Sequence, residues 1–309
     1  MTLTASPAAA VRPSTLRTWL MAIRPATLPA AASGVVVGLG AALAAGVPFR
    51  ADTALGCLAV ALLLQVVANL SNDLSDFRRG ADTPDRAGPT RVAAAGLVTE
   101  RQLEVAIGLT IALAGLVGLW LVVVGGPVLL ALGALAIVAA VAYTGGPWPY
   151  GYRGLGEVLV FVFFGLVAVA GTAYLQALRF VPISVLAAIP VGTLCAAILV
   201  VNNLRDIPTD TGAGKRTLAV ILGRRATQLE FGLLLVAAFA VPVGLMLTGF
   251  GVAQLLVFIA APLTLPLLRT VRDFTEPRQL NPVLKGTARL TLVFGLLFAT
   301  ALAFHGWIA

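Results

Sequence analysis

The sequence predicts an all-α, multi-pass membrane bundle of nine transmembrane helices, and three observations carry that prediction. Of the 309 residues, 59% are hydrophobic and 11% charged, against roughly 25% charged in an ordinary soluble domain. Mean hydropathy is +0.99, so too few charges remain to solvate a globular surface. Nine apolar stretches also approach or reach the length of about 20 residues that a helix needs to cross the hydrocarbon layer.

In chain order, residues 1–13 are rich in Ala, Pro and Thr and have no continuous apolar core. They read as a disordered N-terminus and not as a cleaved signal peptide. Residues 14–25 read as an interfacial helix: Ser14 is a cap, and Leu16, Trp19, Leu20 and Ile23 fall at i, i+3, i+4 and i+7. Residues 26–309 form a single transmembrane domain. Its spans are expected near 26–46, 53–72, 103–123, 127–143, 155–175, 183–203, 230–248, 252–268 and 288–308. The eighth is the weakest, because Pro262 and Pro266 interrupt it.

Nine spans place 19 of the 21 Lys and Arg residues on one side, leaving only Arg50 and Arg179 opposite. Basic loops stay inside, so that side is expected to be cytoplasmic, with the N-terminus there and the C-terminus across the inner (plasma) membrane. Twelve of the 13 acidic residues follow the same split. The two long loops, after spans two and six, also lie there, which puts the functional site at that face.

Several chemistries are poorly supported. The only histidine is His305, near the C-terminus, and Cys57 and Cys195 sit singly inside apolar runs. That disfavours zinc, haem and Ser-His catalysis and gives no disulfide framework. A net charge of +8 on so apolar a chain points to a lipid bilayer or phosphate-bearing substrates, and not to nucleic acid. No protein partner is inferable.

Two acidic helix ends carry the chemistry. Asn69, Asn72, Asp73 and Asp76 share a face if the second span stays helical to Asp76, and Asn202, Asp206 and Asp210 stack at the end of the sixth. Pro208 threatens to break that second stack before Asp210. Carboxylates at a helix C-terminus are disfavoured by the macrodipole and by partial desolvation, so something must compensate them. Mg2+ does so well, taking one or two carboxylates plus substrate phosphates. Arg78, Arg79, Arg86 and Arg91 follow the first cluster, and Arg205, Lys215 and Arg216 accompany the second. Carboxylates interleaved with phosphate-binding cations fit a magnesium diphosphate better than either charge alone. The plainer alternative is a set of solvated, mutually paired loop charges. The segment Tyr143–Gly154, with Tyr150, Tyr152 and Arg153, reads equally well as an interfacial aromatic belt or as part of a site.

Four segments, RPATLP from Arg24, NDLSDFRRGADTPDRAGPTR from Asn72, PYGYRGLGE from Pro149 and NNLRDIPTDTGAGKRTLAVILG from Asn202, resemble the UbiA-type superfamily of intramembrane prenyltransferases. The match is closest to its branch acting on 1,4-dihydroxy-2-naphthoate in menaquinone synthesis. In the benzoate branch an acid follows the second Asp by four residues; here that position is Gly80, and the next acid is Asp82, as in the naphthoate branch. The resemblance implies that Asp73, Asp76, Asp206 and Asp210 bind diphosphate through Mg2+ and are catalytic, with Asn72 and Asn203 assisting. Arg79, Asp82, Arg86, Arg91, Arg205, Lys215 and Arg216 then contact the polyprenyl diphosphate. Tyr150 and Tyr152 would orient the dihydroxynaphthoate, and Arg153 or Arg24 would meet its carboxylate. Other readings are a sister transferase with another acceptor or a phytyl donor, and a polyprenyl-phosphate carrier without catalysis.

Overall fold

The computed structural model describes residues 13–81 and 86–308. The N-terminal segment up to residue 12, and Asp82, therefore lie outside the described residues. All regular structure within them is helical: α1 (Thr15–Ile23), α2 (Leu28–Ala44), α3 (Ala51–Arg78), α4 (Glu100–Gly125), α5 (Val128–Ala142), α6 (Gly156–Val160), α7 (Ala168–Ala177), α8 (Ile183–Gly212), α9 (Leu218–Leu245), α10 (Thr264–Asp273) and α11 (Leu280–Ile308). Among the described residues, eight helical stretches are long and apolar enough to cross a membrane, and the 15-residue α5 is the shorter ninth.

Three local features shape the spans. Arg24 adopts a left-handed conformation (φ 54°), which ends α1 and turns the chain into α2. The fifth span is α6 and α7 joined by a π-helical stretch, Phe161–Val167. The eighth begins as 3-10 helix, Val252–Leu263, and becomes α-helical only after Pro262, because proline removes a backbone donor that a continuous α-helix would use.

α8 forms the centre of the bundle, packing on α9, α11 and α2. α2 is packed tightly: a Cβ on Gly34 would lie 2.6 Å from Ala168 Cβ, and one on Gly38 2.6 Å from the Val169 carbonyl. Such glycines let helices approach closely where lipid gives no hydrophobic drive for association. Outward faces are apolar instead; Val123 on α4 is 85% exposed. Both cysteines are buried free thiols.

Length places the site. At 1.5 Å per residue, the 28 residues of α3 and the 30 of α8 run to about 42 and 45 Å, beyond a hydrocarbon layer of about 30 Å. Their polar C-terminal turns therefore project past the apolar slab. α8 also continues through Pro208 to Gly212. The Thr209 hydroxyl donates to the Asp206 carbonyl at 3.0 Å, adding a side-chain donor in the turn that proline weakens.

Candidate active site

The last turns of α3 expose two polar rows. Residues three apart in an α-helix are rotated about 60° short of a full turn, and here that offset separates what the sequence groups on one face. One row turns toward α1: Asn69 Nδ2 donates to the Ile23 carbonyl (2.8 Å) and the Thr27 hydroxyl (3.0 Å). Asp73 follows it, accepting from the backbone N–H groups of Val92 (3.2 Å) and Ala93 (3.1 Å), with Arg24 Nη2 3.8 Å away. The other row, Asn72 and Asp76, turns toward α8.

Opposite stand Asn202, Asp206 and Asp210, and Lys215 closes the gap. Its Nζ lies 2.9 Å from Asp76 Oδ1 and 3.7 Å from Asp210 Oδ1. Arg86 reaches Asp206 Oδ2 at 3.2 Å, and Arg91 reaches Asp76 Oδ2 at 3.2 Å. The cavity among these groups measures about 20 Å³, room for about one water. Tyr152 enters from a 3-10 turn (Tyr150–Arg153) and donates its hydroxyl to Asp76 Oδ1 at 2.9 Å. Burial first, then the Asp76 charge and this hydrogen bond, push the Tyr152 phenol well up, so it remains a neutral donor.

The remaining predicted residues lie elsewhere or are engaged. Arg205 is 2% exposed, and its guanidinium forks onto Asp206 (2.8 and 2.7 Å) while reaching Asn202 and Asn281. Asn203 Nδ2 donates to Glu157 at 2.7 Å. Arg79 lies on the rim, donating to the Thr144 and Gly146 carbonyls beneath a 5.4 Å contact with the Tyr152 ring. Tyr150 gives its hydroxyl to the Ala139 carbonyl on α5. Arg153 packs 4.8 Å over Trp148. Arg216 is exposed; its backbone N–H, not its side chain, ties to the Tyr152 carbonyl.

Tyr143 and Thr144, at the start of the Tyr143–Gly154 segment, also line the cavity. Their adjacency to a glycine pair at the end of an apolar run was the available signal. Glu157, buried against Asn203, was visible only as the last letter of the third segment.

The donor set suits a hard cation: carboxylates, amide oxygens and no sulfur or imidazole. Asn72 Oδ1 is buried without a hydrogen-bond partner, an acceptor awaiting a positive group. Among the described residues no three His, Cys, Asp or Glu side chains cluster to hold an ion by themselves, since Lys215, Arg86 and Arg91 stand between the carboxylates. Magnesium with a diphosphate does not need three, because phosphate oxygens complete its shell.

Long apolar helices whose two acidic ends meet beneath a cationic rim define a helical membrane protein with a charged mouth. The chain belongs to the UbiA prenyltransferase family, whose description matches residues 33–284. It is 46% identical to the 1,4-dihydroxy-2-naphthoate octaprenyltransferase of Mycobacterium tuberculosis, covering 93% of this chain and 97% of that one. Against the enzyme of the same name from Escherichia coli, identity is 38% over 96% and 98% of the two chains. The fold is shared with a UbiA homolog from Aeropyrum pernix (TM-score 0.69, 17% identity, 88% and 97% covered). It is also shared with a UbiA homolog from Archaeoglobus fulgidus bound to GPP and Mg2+ (TM-score 0.64, 15% identity, 94% and 98% covered).

Proposed function

We propose that this chain transfers a polyprenyl group from polyprenyl diphosphate to 1,4-dihydroxy-2-naphthoate, releasing carbon dioxide and diphosphate and giving demethylmenaquinol for menaquinone biosynthesis. The observation that carries the reading is the Lys215 ammonium between Asp76 and Asp210: two motifs far apart in sequence share one counter-charge. The names of the 46% and 38% identical relatives support the same acceptor.

Asp76, Asp206 and Asp210, with the Asn72 oxygen, are the residues that would hold Mg2+. Bound there, it supplies charge neutralisation to the leaving diphosphate. Arg86, Arg91 and Lys215 now pair with carboxylates, and each has the chemistry to meet phosphate oxygens once the donor enters. The neutral Tyr152 phenol adds a hydrogen bond. In a water-poor mouth these fixed charges act at low dielectric, where stabilisation of developing charge is greatest.

The allylic C–O bond then breaks, and the ring carbon bearing the carboxylate bonds to the prenyl carbon. Carbon dioxide leaves, and its electron pair restores the aromatic ring. No net proton is removed, which explains a site without histidine or another conventional base. The isoprenoid tail lies among the apolar helices. α1, with Leu16 and Leu20 exposed, rests on the membrane surface beside this mouth, which opens to the cytoplasm by the distribution of basic loops.

The test is purified protein with dihydroxynaphthoate, a long polyprenyl diphosphate and Mg2+, assayed for prenylated product and released diphosphate. Product in stoichiometric step with diphosphate is expected. Donor binding without product would instead mark a carrier, and turnover only with a phytyl donor or another acceptor would mark a sister transferase.

A further inference from the structure

We propose that residues 86–93 form a strap latched at both ends, and that Asn281 and Asp73 are the positioning residues that hold it. The strap carries Arg86 and Arg91, the cations that reach Asp206 and Asp76. Neither Asn281 nor Asp73 lines the cavity. The inference rests on the diphosphate-binding reading given above.

At the first end, Asn281 Nδ2 on α11 donates to the Ala87 carbonyl at 2.9 Å, and its Oδ1 accepts from Arg205 Nη1 at 3.0 Å. One amide thus ties the strap to the buried guanidinium that grips Asp206. Gly88 lets the chain lie flush on it, because a Cβ there would fall 2.8 Å from Arg205 Nη2. At the second end, Asp73 takes two consecutive backbone N–H groups, Val92 and Ala93, one on each oxygen. Val92 and Ala93 are buried with Leu70, Leu74 and Ala22, so this end is fixed by packing as well as by charge. Arg91 lies between the anchors and Arg86 directly precedes the first, so the backbone leaves both arginines little freedom of placement. A ligand that must meet both at once gains from that restriction, since the ordering cost is met in folding.

The consequence for Asp73 is specific. Both its oxygens are committed to backbone donors, and it does not line the cavity, so its contribution to donor binding runs through Arg86 and Arg91. Asp73→Asn turns an amide donor toward one of two backbone donors and loosens that anchor. Asn281→Asp keeps the acceptor for Arg205 but loses the donor to Ala87, and is the version least disturbing to the fold. Asn281→Ala removes both.

The experiment uses the full-length protein in lipid nanodiscs. Calorimetry measures inorganic diphosphate binding in the presence of Mg2+, and trypsin cleavage after Arg86 and Arg91 reports strap release. Steady-state kinetics give KM for the polyprenyl diphosphate and for the naphthoate separately. All three variants are expected to weaken diphosphate binding and raise the donor KM about five- to tenfold, the scale of one or two lost hydrogen bonds. The acceptor KM should stay within about twofold on the same reasoning, while strap cleavage accelerates. The Mg2+ concentration giving half-maximal diphosphate binding should be unchanged in Asp73→Asn and raised in Asp76→Asn.

Unchanged diphosphate affinity and cleavage rate in Asn281→Asp would overturn the strap. A magnesium shift in Asp73→Asn equal to that of Asp76→Asn would make Asp73 a metal ligand and overturn its role here. Binding and proteolysis need no turnover. A wild-type protein that fails to prenylate the naphthoate therefore refutes the proposed reaction while leaving the strap to be judged on its own measurements.

Discussion

The ends of α3 and α8 carry the same pattern, Asn four residues before Asp, yet are organised in different ways. Asp206 is gripped by its own neighbour, Arg205, which also holds Asn202 one turn back. Asp76 draws its partners from three separate segments: Arg91, Tyr152 and Lys215. Asp206 and Asn202 thus share a partner from their own helix, with Arg86 and Asn281 added from elsewhere, whereas these partners of Asp76 arrive only when the bundle closes. On the proposed reading, a donor diphosphate entering this mouth meets one wall braced from within its own helix and one wall assembled from three separate segments.

Asp206→Ala should break this comparison most severely, because it strands a guanidinium buried to 2% exposure. Removing one partner of a buried pair costs about 3–5 kcal/mol, so thermal denaturation in detergent should show the largest fall in Tm of any substitution at the site, together with loss of activity. Asp76→Asn is expected to separate the two effects. Lys215 keeps Asp210 within reach, so Tm should fall less. Prenyl transfer should still drop by about 10²–10³-fold, the scale for removing a preorganised electrostatic group. If Asp76→Asn lowers Tm as far as Asp206→Ala, the two ends are equally braced and the contrast fails.

Much of this was legible from residue order. Apolar run lengths locate the spans, and the recurrence of Asn, Asp and basic residues after two of them points to the candidate site. What periodicity does not resolve is a 60° difference in direction. Asn69, Asn72, Asp73 and Asp76 lie on one broad polar face, and only the packing of α1 and of Val92–Ala93 decides that Asp73 stays out of the cavity lining. Arg205 looks like a phosphate ligand because it adjoins Asp206; its burial depends on Asn281 and Gly88, contacts no local pattern encodes. Tyr150 and Tyr152 are likewise two letters apart, yet a 3-10 turn sends one hydroxyl to α5 and the other to Asp76.

Tyr152→Phe sharpens the α3 side of the comparison. It removes one hydrogen bond to Asp76 and leaves the ring beneath Lys215, 4.7 Å from the ammonium, so a loss of about three- to tenfold in kcat/KM is expected. Because burial and the Asp76 charge push that phenol up, it remains protonated below its raised pKa. The ratio of mutant to wild-type rates should therefore stay flat from about pH 6 to about pH 9, under the ordinary tyrosine value near 10. A ratio that changes with pH would mean that the phenol ionises during turnover.

The smallest effects should come from Arg153→Ala and Arg216→Ala. Both arginines sit among the motif residues, but one guanidinium stacks on Trp148 and the other side chain is exposed. If the cavity side of α3 and α8 is where the donor binds, a solvent-facing charge contributes through screened attraction alone, and kcat/KM for each should remain within about twofold of wild type. A selective rise in naphthoate KM for Arg153→Ala would place the acceptor carboxylate at Trp148. The acceptor would then enter from the Tyr150–Arg153 turn, outside the space between the two acidic ends.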